Sequence, residues 1–297
     1  MKRRLITAIL ITAVSVSACD TATPSSSSET TTTTEATTTT TEETTTETTL
    51  EDITNKRLVK KTATRYDSYG NNTGRTEYEY DESGNLILET RYGYNSNLID
   101  VKDSWYEYEY DSNGNEIKHT RYNADKSVDY YVAYEYDESG NQLSQTEYSA
   151  KDVPGTSYVN EYDESGVLIG QKMFMGDDYP YSYLEYEYGA DGNLIKRISY
   201  DASDDSISGW NEYKYDSNGN KIEEAWYDAD GNMSYMTRYE FDASGNMIKQ
   251  IQYYKSMDNP QTTIEYEYDA RCLLIKETFT YEKGDTNIIE YEYVFED

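Results

Sequence analysis

The chain has 297 residues, with 57 Asp+Glu against 26 Lys+Arg and a formal charge of -31, a balance that excludes nucleic acid as a partner because phosphates require a basic surface. Hydrophobic residues make up 36% of the chain and the aromatics are 35 Tyr against 4 Phe and 3 Trp, so an aliphatic core cannot fill the molecule. One histidine, His119, and two cysteines, Cys19 and Cys272, leave too few ligands for a Cys/His zinc site and argue against most catalytic triads.

Residues 1–18 place Lys2, Arg3 and Arg4 ahead of an apolar run too short to span a bilayer comfortably, the pattern of a cleaved secretory signal. The run ends Val16-Ser17-Ala18-Cys19, which resembles the lipobox of bacterial lipoproteins. That resemblance implies a diacylglycerol thioether on Cys19, and through it a membrane as partner and an extracytoplasmic envelope location. Residues 19–54 form a linker. Its 21–50 segment holds 17 Thr and 4 Ser with five Glu and no basic residue, so it cannot bury enough apolar surface to offset chain entropy and is expected to be a disordered stalk.

Residues 55–297 are expected to form one domain. From about residue 62 the chain repeats: Tyr-Asp-x-x-Gly-Asn is clearest with the aromatic at Tyr80, Tyr110, Tyr136 and Tyr215, weaker at Tyr162, Tyr188, Phe241 and Tyr268, and truncated at Tyr293, a period that identifies a repeat architecture. A second aromatic follows twelve residues after most markers, from Tyr92 and Tyr122 to Tyr253, failing at Thr280. The best-kept turns are Asp81, Gly84, Asn85; Asp111, Gly114, Asn115; Asp137, Gly140, Asn141; and Asp216, Gly219, Asn220. There Asp caps a type I turn and Gly takes positive φ, which is hairpin chemistry. The flanking Tyr/Ile/Thr/Val segments have strand length and no helical period. The expectation is an all-β fold: a single antiparallel β-meander of about seventeen strands, twisted or spirally curled.

These residues resemble the YD repeats of the Rhs family over about residues 62–297. In that family the repeats form a β-strand spiral around a C-terminal toxin or serve surface adhesion. With no domain to enclose after Asp297 and too few repeats expected for a closed shell, the resemblance points to adhesion rather than toxin delivery.

If each marker faces the residue six later, the marker, the residues two and four before it and the aromatic twelve after share an inward face. The opposite face takes glutamates one and three before the marker, such as Glu77, Glu79, Glu107 and Glu109, and an aliphatic seven after it, from Ile87 to Ile275. Trp105, Trp210 and Trp226 also fall there, Trp210 opposite Trp226 and Trp105 opposite Arg121. These four are the candidate ligand-binding residues, as a platform for sugar rings; the plainer reading is that the indoles cover the sheet. His119, assigned to the same face, is expected to bond to a neighbouring Glu, and Cys272 fills a turn position that Gly holds elsewhere. The carboxylate ladder has oxygen donors suited to Ca²⁺, but its spacing matches no calcium-loop pattern, so solvated turns and no cofactor are expected. Paired glutamates recurring in nearly every unit read as scaffold rather than as a glycosidase pair.

The expected function is therefore a non-enzymatic lipid-anchored surface protein whose repeat sheet binds a glycan, cell-wall or protein ligand. The alternatives are a structural spacer of the envelope and a truncated relative of toxin-encasing Rhs proteins.

Overall fold

The computed structural model describes residues 56–94, 100–176, 179–255 and 259–296. The expected signal, Cys19 as the expected lipidation site and the expected linker lie outside the described residues. The strands are β1 (Arg57–Tyr66), β2 (Asn72–Tyr80), β3 (Leu86–Tyr94), β4 (Asp100–Tyr110), β5 (Glu116–Asn123) and β6 (Val128–Tyr136). There follow β7 (Gln142–Ser149), β8 (Pro154–Tyr162), β9 (Leu168–Met175), β10 (Pro180–Tyr188), β11 (Leu194–Asp201) and β12 (Ile207–Tyr215). The last are β13 (Lys221–Asp228), β14 (Met233–Phe241), β15 (Met247–Tyr254), β16 (Thr262–Tyr268), β17 (Leu274–Tyr281) and β18 (Thr286–Glu296).

Each strand pairs antiparallel with the next, and β1 pairs with both β2 and β18. The meander is a closed barrel of eighteen strands, not an open curled sheet of about seventeen. Two features explain the difference. Tyr66-Asp67-Ser68-Tyr69-Gly70-Asn71 is a further copy of the turn motif, half a period before the first marker, and it makes the β1–β2 hairpin: Gly70 N donates to Asp67 O at 3.0 Å and Asp67 N to Asn71 O at 3.0 Å. The strand it adds then closes the sheet, satisfying backbone groups that two free edges would leave unpaired.

The conserved geometry of the turns follows from their side chains. In each of the four best-kept copies the Asp carboxylate accepts from two backbone N–H groups and from the Asn side chain, as where Asp81 Oδ1 takes Ser83 N at 2.8 Å and Asn85 N at 2.8 Å. These bonds hold the carboxyls of Asp81, Asp111, Asp137 and Asp216 below the usual range. Gly84, Gly114, Gly140 and Gly219 sit at φ of 84 to 86°, where a side chain is costly. Cys272 takes the same place at φ 61°. At the other rim the varied turns reach the same conformation through Lys126 (φ 72°), Asp152 (φ 58°) and Gly231 (φ 82°).

Tyr80 does pair with Leu86, six residues on, but the next pair is Glu79 with Leu88. The residue seven after the marker is extra, a bulge that recurs in every described hairpin of this rim. Beyond it the register is seven rather than six, and a one-residue slip exchanges faces. The inward face keeps the marker and the residues two and four before it, with Thr76, Val132, Thr237 and Ile264 among the buried residues. The glutamates and the aliphatics from Ile87 to Ile275 lie outside, the latter exposed except for the half-buried Ile222. The aromatics twelve after the marker, assigned inward from the sequence, are on the outer wall.

Candidate functional site

The inner wall carries a belt in which one row answers another. Across eight hairpins the residue two before the marker pairs with the residue nine after: Tyr78 with Glu89, Tyr108 with His119, Tyr134 with Gln145 and Asn160 with Gln171. The circuit continues with Tyr186 and Arg197, Tyr213 and Glu224, Tyr239 and Gln250, Tyr266 and Glu277. Lys61 of β1 completes it between Tyr291 and Tyr78, its Nζ 4.4 Å from the Tyr291 ring centre and 5.5 Å from that of Tyr78. Tyrosine supplies a ring and a hydroxyl at seven of the eight hairpins, and Asn160 supplies an amide at the other.

The buried charges of the belt are compensated locally. Glu89, 2% exposed, meets Arg91 Nε at 2.6 Å. Glu224 accepts from Lys221 Nζ at 2.8 Å and from Asn211 Nδ2 at 3.2 Å. Arg197 donates to Asn211 Oδ1 at 2.9 Å. Tyr291 donates to Glu277 at 2.7 Å. Desolvation lowers the Lys61 pKa and raises that of Glu277, and it pushes the Tyr78 hydroxyl up to about 12. His119 Nδ1 lies 2.7 Å from Glu116 Oε1, as the sequence reading expected of a neighbouring Glu, but on the inner wall among Tyr106, Tyr108 and Tyr134.

Below the belt, marker hydroxyls form a second ring. Tyr110, Tyr136, Tyr162, Tyr188, Tyr215, Tyr268 and Tyr293 each donate to the carbonyl of the residue that follows the preceding turn, at 2.7 to 2.9 Å. These bonds staple neighbouring hairpins together, with a break at Phe241, which has no hydroxyl to donate, and their repetition is structural. Closed into a circle, eighteen tilted strands at about 4.8 Å spacing would span roughly 35 Å, a size at which opposite walls of side chains would not meet. Among the described residues, the side-chain hydrogen bonds and ring contacts lie within one wall.

The tryptophans are not arranged as the sequence register implied. Trp105 pairs with Tyr122, not Arg121, and stacks on it at 4.9 Å and 9°. Trp210 pairs with Tyr227, stacked at 5.4 Å and 15°. Trp226 pairs with Asn211, on the inner wall, and stacks on Tyr235 at 6.0 Å and 2°. The bulge accounts for all three corrections. Trp105 is 8% exposed, with Lys102 Nζ 3.8 Å from the ring centre, so its indole is already covered. Both outer indoles donate to a glutamate two residues on, Glu107 at 3.2 Å and Glu212 at 3.1 Å. Arg121 faces inward and is ion-paired with Asp129. Tyr131 with Tyr148 and Tyr183 with Tyr200 repeat the outer stack at 4.9 and 4.7 Å.

Among the described residues no group of three or more His, Cys, Asp or Glu side chains is placed to hold a metal ion. The outer glutamates instead meet lysines: Lys118 with Glu109, Lys249 with Glu265 and Lys276 with Glu267, at 3.3, 3.2 and 2.7 Å. The belt and the Tyr66–Asn71 turn went unread in the sequence. Given the correct register, the polar residue nine after each marker would have revealed the belt.

No family model and no curated protein matches the chain by sequence. Among solved structures, a porin-like protein of Bacteroides uniformis ATCC 8492 is similar at 13% identity, covering 80% of this chain and 98% of that one, with a TM-score of 0.46. The TcdB2-TccC3 structure is similar at 15% identity over 73% of this chain and 12% of that one, TM-score 0.36. Both similarities are weak.

Proposed function

We propose that the chain is a non-enzymatic binding module of the bacterial cell surface, held to a membrane by lipid on Cys19 and taking a polyhydroxylated, glycan-type ligand against its inner wall. The observation that carries the reading is the belt: eight hairpins present aromatic or amide groups opposite polar partners at one level, the mixture of ring faces and hydrogen-bonding groups that sugars use. The closed sheet offers no free edge for strand addition, and the outer indoles are occupied by their own neighbours. A charged outer wall of glutamate–lysine pairs is also unlike the apolar band of a membrane-spanning barrel.

The test is a screen of the full chain against glycan and cell-wall fractions. Retention that falls when Tyr213 and Tyr239 are each replaced by Leu supports the reading, and retention unaffected by both refutes the inner wall as the site. A second reading, a structural spacer, is favoured by the self-stacked outer aromatics; an intact barrel that retains no fraction would establish it over the first. Cys19→Ala should leave the precursor uncleaved and unlabelled by fatty acid, and a processed, freely secreted variant would overturn the anchor.

A further inference from the structure

The repeat contains its own control for a site that breaks it. On the rim of the varied turns, the residue before the turn aromatic and the residue seven after it lie together on the inner wall. In the β5–β6 hairpin these are Arg121 and Asp129, an ion pair. In the β1–β2 hairpin they are Arg65 and Thr73. Among the described residues the side-chain hydrogen bond of Arg65 goes to Thr76 Oγ1 at 3.0 Å, and no carboxylate neutralises it. Asp67 lines the same pocket as Arg65, but its oxygens are taken by Tyr69 N, Asn71 N and Asn71 Nδ2 within the turn, and it forms no ion pair with Arg65. Among the described arginines, Arg65 and Arg197 lack a carboxylate partner; Arg197 sits in the belt and donates to Asn211, whereas Arg65 opens on a pocket.

Beside Arg65 lies a pocket of about 220 Å³ where the first and last hairpins meet. Phe279 and Ile289 give it an apolar wall, and Tyr281 and Asn287 give it polar groups, the Asn287 Nδ2 donating to the Tyr281 hydroxyl at 3.3 Å. Because β17, β18 and β1 come together once, at the seam, no other hairpin repeats this set. A guanidinium with free N–H donors beside an aromatic and an aliphatic wall matches an anionic oxygen pair attached to an apolar body.

We propose that this seam pocket binds a small organic carboxylate, its carboxylate on Arg65 and its apolar body against Phe279 and Ile289. The site is independent of the glycan reading, since none of its residues belongs to the belt. Isothermal titration of the full chain with benzoate tests it, with benzyl alcohol as the uncharged counterpart. Saturable benzoate binding is expected, with benzyl alcohol weaker by about tenfold or more. Thr73→Asp supplies the acid that Asp129 provides elsewhere, so it should weaken benzoate by a similar factor, while the uncharged Thr73→Asn retains it. Arg65→Gln should also lose binding, which keeps the test decisive if Thr73→Asp fails to fold. Equal affinity for the acid and the alcohol, undiminished binding in folded Thr73→Asp or Arg65→Gln, or no saturable heat from the parent chain would each overturn the proposal.

Discussion

The recurring bulge can be tested energetically, because it decides which aromatic each indole touches. Trp210 and Tyr227 are cross-strand partners on the outer wall, with ring centres 5.4 Å apart and planes 15° from parallel. Trp226, adjacent in sequence to Tyr227, points through the sheet and stacks on Tyr235. A stacked pair is worth about 0.5–1.5 kcal/mol beyond the area it buries. In a double-mutant cycle, Trp210→Ala and Tyr227→Ala together should therefore destabilise by less than the sum of the singles, with a coupling of about that size. Trp210→Ala with Trp226→Ala should be additive to within about 0.5 kcal/mol, since the two indoles lie on opposite faces and share no ring contact. Urea denaturation followed by circular dichroism gives the four stabilities of each cycle, with unchanged m-values as the check that the unfolded states are comparable. A larger coupling for the tryptophan pair than for Trp210 and Tyr227 would refute the bulge and the division of faces built on it.

Gly114→Val should cost about 1–3 kcal/mol, because φ is 85° with open space around the missing Cβ, so strain alone is measured; Gly114→Asn should cost less, and equal denaturation midpoints for Val and parent would contradict the turn. Burial raises the pKa of inner tyrosines, Tyr78 to about 12 and Tyr110 to about 12. A raised native pKa contributes stability that is complete below the unfolded value near about 10 and lost as pH rises through the native value. Absorbance at 295 nm should accordingly show a fraction of tyrosines ionising only with unfolding, and a single transition near pH 10 in a folded barrel would count against the buried belt. Sodium chloride and calcium chloride at matched ionic strength should raise the melting temperature about equally by screening the acidic wall, whereas saturation by micromolar calcium would reveal a specific site.

What was legible in the sequence was whatever depends on local chemistry. Asp81, Gly84 and Asn85 encode their turn within five residues, and alternation at Glu77, Tyr78, Glu79 and Tyr80 encodes a strand with one acidic face. Trp226 was misplaced because its facing depends on a bulged backbone that no residue type announces. Ile87 is the extra residue of the first marked hairpin, yet nothing in its side chain distinguishes a bulge from regular pairing. Sequence periodicity fixes which residues share a strand face, but one extra residue per hairpin reverses how two strands' faces correspond.

Closure was also written in the chain, in charge rather than in period. β1 reads Arg57-Leu-Val-Lys60-Lys61-Thr-Ala-Thr-Arg65-Tyr66, four cations and no acid within a strongly acidic protein. Its neighbours on both sides are glutamate strands: β2 with Glu77 and Glu79, β18 with Glu290, Glu292 and Glu296. Lys60 Nζ meets Glu77 at 2.9 Å and Arg57 meets Glu296 at 3.2 Å. Each such surface pair contributes little by itself. Opposite charge nevertheless discriminates among partners, since placing β18 directly against another acidic strand would set like charges across from one another. The acidic β18 edge therefore favours the basic β1 over a further acidic strand, and β1, already paired with acidic β2, gains a second acidic neighbour when the ends join, so charge favours closure as a barrel over continuation as a spiral.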